Sequence, residues 1–188
     1  MTHTLITGYG YSGTTFLMRL LSELGYNTWY KSDVETTDPK HGLEWLSGDV
    51  EDALRPSRMY MPTVLKDPKF LAEVYPRVEA GPKPKPGFLK RFRDELGIDM
   101  VYVCRRNVDE MQMAHPNNPY GDPDYCLGRG INLLEDLEIP YTVLSFPRML
   151  KDPLWLYRAL DPETCLIAWD VFQKAHAKVY NPDFDRSV

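Results

Sequence analysis

Cysteine is scarce in this chain: Cys104, Cys126 and Cys165 are the only three, widely spaced and odd in number. They form neither a disulfide framework nor a metal-ligand spacing, and they suit a reducing compartment. Positive charge is in deficit as well, with 22 Lys and Arg against 27 Asp and Glu and a net charge of −5. That balance excludes a general polyanion binder and leaves room only for a local basic pocket. No apolar run approaches the length of a membrane span. The opening residues, MTHTLITGYG, enter a strand pattern without the basic and apolar regions of a secretory leader, so a cytoplasmic setting is expected. No internal repeat is present. The most consequential absence sits inside one turn: GYGYSGTT, residues 8–15, is built like a phosphate-cradling loop and contains no lysine or arginine.

What the chain does have is an alternation of short β-branched or aromatic runs with longer helical ones. HTLIT (3–7) reads as the first strand. TTFLMRLLSELG follows with Phe16, Leu17, Leu20, Leu21 and Leu24 on one helical face and Gly25 as its stop. YNTWY (26–30) is a candidate second strand, PTVLKD (62–67) a third, DMVYVCR (99–105) a fourth and YTVLSF (141–146) a late, buried one. The last part reads as helical, over DPLWLYRAL and PETCLIAWDVFQKAHAKV, with Ile167, Val171, Phe172 and Ala175 as the apolar stripe. Irregular segments near 31–61, 79–87 and 115–123 interrupt the pattern, the second of them marked by the alternating prolines of EAGPKPKPGF. At 188 residues this is one α/β domain with a mainly parallel sheet.

In such sheets ligands bind beyond the carboxyl ends of the strands. That rule gathers the Gly8–Thr15 turn, Lys66-Asp67 and Arg105-Arg106 on one rim. In the turn, Gly8, Gly10 and Gly13 allow close backbone approach, successive N–H groups point inward, and the helix beginning near Thr14 adds its positive end. Gly8 and Gly13 have the G-x-x-x-x-G spacing of an ATP- or GTP-binding loop, but Thr14 stands where the lysine belongs.

The run YSGTTFL resembles instead the 5′-phosphosulfate loop of the sulfotransferases that use PAPS (3′-phosphoadenylyl sulfate), a family with a three-layer P-loop kinase-like fold. VLKDPKF, MVYVCRRNVDEM and YTVLSFPRMLKDPLWLYRAL are similar, in order, to that family's third-strand, 3′-phosphate and late-strand segments. The resemblance implies a transferase moving a sulfuryl group from PAPS to a hydroxyl or amine of a small-molecule or glycan acceptor. Metal, nucleic acid and membrane have no part in it. Gly10 and Tyr11, at the loop's entry, would contact the nucleotide. Ser12, Gly13, Thr14 and Thr15 would hold the 5′ phosphates, Phe16 would contact the adenine, Arg105 would bind the 3′-phosphate, and Lys66 would face the sulfuryl group. Asp67 and Glu44 are the candidate bases, with His41 beside Glu44 in the same insertion.

The chain departs from that pattern at named places. Tyr11 replaces the basic residue before Ser-Gly-Thr-Thr, Met113 replaces a serine eight residues beyond Arg105, and Pro68 replaces a histidine after the third strand. Lys66, Lys69 or Arg106 would have to supply the missing cation. A nucleotide- or anion-binding protein of the same fold without catalysis, and an atypical P-loop kinase or NTPase, are the alternatives. Simpler roles stand beside each residue: a surface ion pair for Arg105, a salt-bridged strand end for Lys66-Asp67, and solvent-facing positions for His41, His115 and His176. The basic run PKPKPGFLKRFR, with five basic residues, reads as a solvated face.

Overall fold

A computed structural model describes residues 3–8, 12–28, 63–66, 70–71, 93–94, 97–107, 109, 122–160 and 167–180. The elements are β1 (His3–Gly8), α1 (Thr14–Glu23), β2 (Val64–Lys66), β3 (Ile98–Arg105), α2 (Pro123–Asp136), β4 (Tyr141–Ser145), α3 (Phe146–Lys151), α4 (Pro153–Ala159) and α5 (Trp169–Val179). The four strands form one sheet in the order β2-β1-β3-β4, every pairing parallel. Helices flank it, so the expected α/β class with a parallel sheet is what the chain adopts.

Register follows the two-residue alternation of strands. Ile6, Val64, Tyr102, Cys104 and Leu144 point to one face and share a core with Phe16, Leu17, Leu20 and Leu21 of α1, Met149 and Leu150 of α3, and Phe172 of α5. Leu5, Leu65, Val101 and Val103 alternate with these and are equally buried, as strands covered on both faces must be. Helix α1 ends as its glycine predicts. Gly25 takes φ 88°, its N–H donates to the Ser22 carbonyl, and the Tyr26 N–H donates to that of Leu21. Such a paired closure satisfies carbonyls the helix would otherwise leave bare.

Four expectations change in detail. The candidate second strand is not a strand over its described residues 26–28, although the Asn27 carbonyl accepts from the Val64 N–H, so this segment runs along the outer side of β2. The loop expected near 115–123 gives way at its end to α2, started by Asp122, whose carboxylate accepts from the Asp124 N–H at 3.0 Å. The late strand stops at Ser145, one residue short of its expected end, and Phe146 opens α3 instead, with Pro147 in the first turn, where a missing N–H costs nothing. Along α5 the buried stripe is Phe172, Ala175 and His176, whereas Val171 is 48% exposed.

His176 is therefore not solvent-facing. It is buried between Phe16, whose ring meets it edge-on at 5.4 Å, and Phe172, and its Nε2–H donates to the Met149 carbonyl at 2.8 Å. That bond satisfies one polar atom that burial would otherwise penalise and ties α5 to α3. At the periphery Lys178 pairs with Glu23 at 2.6 Å, linking α5 to the end of α1.

Phe172 contacts Tyr157, Trp169 and His176 in this cluster and is fully buried. Phe172→Ala is expected to destabilise the fold by about 3–5 kcal/mol, read from the midpoint of urea unfolding with an unchanged slope.

Candidate functional site

The sheet changes direction at β1. From β1 the chain passes to β2 on one side and then to β3 on the other, so the carboxyl ends of β1 and β3 bound a crevice of the kind that binds ligands in open α/β sheets. Gly8 pairs with Cys104 at that point. A side chain on Gly8 would meet the Cys104 carbonyl at 2.3 Å and Ser12 Oγ at 2.6 Å. Only glycine lets the turn fold back this closely over its own strand.

Gly13 closes the turn and caps α1. Its φ is 92°, the left-handed region, and its carbonyl accepts the Leu17 N–H. A Cβ there would lie 2.0 Å from Cδ2 of Phe146, so the glycine is required by contact as well as by backbone. Ser12 and Thr14 are buried, and Thr15 keeps partial exposure. Of the three, Thr15 is the one that stands at the rim.

The cation absent from the turn arrives from β2. Lys66, only 4% exposed, donates from Nζ to Thr15 Oγ1 across 3.1 Å. An ammonium at this depth is costly unless its donors are used. Cys104 lies within reach of the same charge. Burial raises its thiol pKa from 9.0 to about 12, against the opposing pull of Lys66. The thiol therefore stays neutral and acts as part of the floor.

Arg105, at the end of β3, reaches to the other side. Its guanidinium pairs with Asp124 Oδ1 of α2 at 2.9 Å, with the two side chains 55% and 43% exposed. Behind it Arg106 is buried with its guanidinium 5.0 Å from the centre of the Phe146 ring. Arg105, Arg106, Ser145, Arg148 and Trp155 line a cleft of about 610 Å³ at the ends of β3 and β4, and Asp109 and Asp124 are part of the same lining.

The structure thus brings Lys66 of β2 against the turn that holds Ser12, Gly13, Thr14 and Thr15, with Arg105 two strands away from Lys66. It does not bring Phe16 to a ligand. That ring is 1% exposed and committed to the core against His176, because the helix turns it inward one residue past the rim. Gly10, Tyr11, Glu44 and Asp67 lie outside the described residues. Sequence reasoning missed Ser145, Arg148 and Trp155. Ser145 carried no signal in the sequence, because only the pairing of β4 with β3 sets it in register with Arg105. Among the described residues no group of three or more His, Cys, Asp or Glu is placed to hold a metal, and no helix is long and apolar enough to cross a membrane.

The raised Cys104 pKa has a testable sign. The unfolded thiol ionises above its ordinary value while the folded one stays protonated, so this contribution to stability is fully present below about pH 9 and is lost as pH rises toward about 12. Stability should fall more steeply above pH 9 in the wild type than in Cys104→Ala, measured by urea unfolding across that range in a Cys126→Ser, Cys165→Ser background.

No protein-family model matches the chain, and neither a curated protein nor a solved structure matches it.

Proposed function

We propose that the protein is a sulfotransferase-like enzyme that moves a sulfuryl group from PAPS to a hydroxyl or amine of a small-molecule or glycan acceptor in the cytoplasm. The observation that carries this reading is the buried Lys66 ammonium donating to Thr15 at 3.1 Å, since it returns a cation to a phosphate-type turn that has none of its own. The turn, with its N–H groups, Thr14 and Thr15, fits the 5′ phosphates of such a nucleotide. Arg105 fits the 3′-phosphate. Phe16 does not fit the adenine.

PAPS, when bound, supplies an activated sulfuryl group. This chain supplies positioning and charge. As the sulfuryl group leaves, negative charge grows on the oxygen that bridged it to phosphate, and a cation already fixed beside that oxygen lowers the barrier without reorganising. Lys66, fixed by β2 and by its bond to Thr15, is the cation proposed for that role. The acceptor must also lose a proton, and Asp67, next to Lys66 in sequence, or Glu44 is the group proposed to take it.

Adenosine 3′,5′-bisphosphate (PAP) should raise the melting temperature by several degrees, and ADP with magnesium by much less; equal shifts would sink the donor assignment. Lys66→Met, which keeps the stem and removes the charge, should lower sulfuryl transfer by at least about 100-fold. Binding of PAP with no transfer to any member of a broad acceptor panel would make the protein a non-catalytic nucleotide binder. Magnesium-dependent preference for ATP would move it to the kinase class.

A further inference from the structure

Ser145 has an unusual position for a helix-capping serine. It precedes α3 in the N-cap place, yet its side chain makes no capping hydrogen bond, and it is exposed. Its Cα neighbour in the sheet is Arg105, and both side chains line the same cleft. Arg148 enters that cleft from α3, stacked 4.6 Å from the centre of the Trp155 ring and leaning on Asp152 through contacts of 3.4 and 3.5 Å. Two outward guanidinium groups and a hydroxyl that serves no helix therefore converge on one space. Two carboxylates belong to the same lining, Asp109 and Asp124, and Asp124 occupies Arg105 from its side.

We infer that Ser145 and Arg148 join Arg105 to form a phosphate site at the ends of β3 and β4, and that Asp124 competes with the ligand for Arg105. The inference rests on the proposed nucleotide function for the identity of that phosphate as the 3′-phosphate. A dianionic phosphate presents several acceptor oxygens, and Arg105 and Arg148 can each donate to it with charge-assisted bonds. The Arg105–Asp124 pair is half-exposed and weak, so a doubly charged ligand displaces it readily. Asp124 is dispensable to its helix, because the cap is made by the Asp122 carboxylate on the Asp124 backbone N–H.

The test is calorimetric titration, at one fixed salt concentration, of PAP, adenosine 5′-phosphate and inorganic pyrophosphate into the wild type, Ser145→Ala, Ser145→Thr, Arg148→Met and Asp124→Asn. Far-UV circular dichroism and melting temperature establish that each variant is folded. Ser145→Ala and Arg148→Met should each weaken PAP binding about tenfold and leave adenosine 5′-phosphate within about twofold, while Ser145→Thr restores PAP binding. Asp124→Asn should tighten PAP binding severalfold. Equal losses for both nucleotides, or no loss for either, overturn the site, and weaker PAP binding in Asp124→Asn overturns the competition. If the wild type binds pyrophosphate but no PAP, and Ser145→Ala loses the pyrophosphate, the cleft stands and the nucleotide reading falls. If the wild type binds none of the three, both fall.

Discussion

A buried ammonium that donates to a threonine hydroxyl organises the rim of this protein. Lys66 comes from β2, Thr15 from the first turn of α1, and the bond between them spans the end of the strand that lies in the middle of the sheet. Its cost is set by depth: a charge this poorly solvated is tolerated only where donors and acceptors are fixed around it. The parallel register sets where it emerges, because Lys66 pairs with Ile6 just before the turn begins. Remove the sheet order and the lysine no longer meets the loop.

The rim divides into two parts of different character. On the β2 side the charge is buried, the backbone is close-packed around Gly8 and Gly13, and the neighbouring thiol is pushed toward neutrality. On the β4 side Arg105 and Arg148 are exposed and paired with carboxylates, while Arg106 lies buried behind them. The first arrangement suits a group that must be held rigidly during chemistry, since preorganised charge acts without reorganisation. The second suits recognition, where exposed pairs can exchange partners at small cost.

Sequence legibility followed the same division. Strands β1 and β3, helix α1 with its Gly25 stop, and the gathering of turn, Lys66 and Arg105 on one rim were readable, because periodicity and glycine carry local physical meaning. What was not readable depended on register or tertiary burial. Phe16 looked like a ligand contact by position, yet it turns into the core. His176 looked polar and solvent-facing, yet it fills a slot between two phenylalanines and donates to a carbonyl, while the apolar Val171 faces out. Ser145 carries no signal of its own, and only the pairing of β4 with β3 sets it beside Arg105. Tyr11, Asp67 and Glu44 lie outside the described residues, so the entry to the turn and the acceptor base rest on the sequence alone.

The contact between Gly13 and Phe146 constrains how this sequence can vary. The ring fills the space that any side chain at 13 would need, and its face supports the Arg106 guanidinium. A larger residue at 13 collides unless the ring shrinks, and a smaller one at 146 leaves a void beneath the turn and strips the arginine of its support. The two positions, far apart along the chain, therefore form a size-matched pair, and neither can drift by single substitutions.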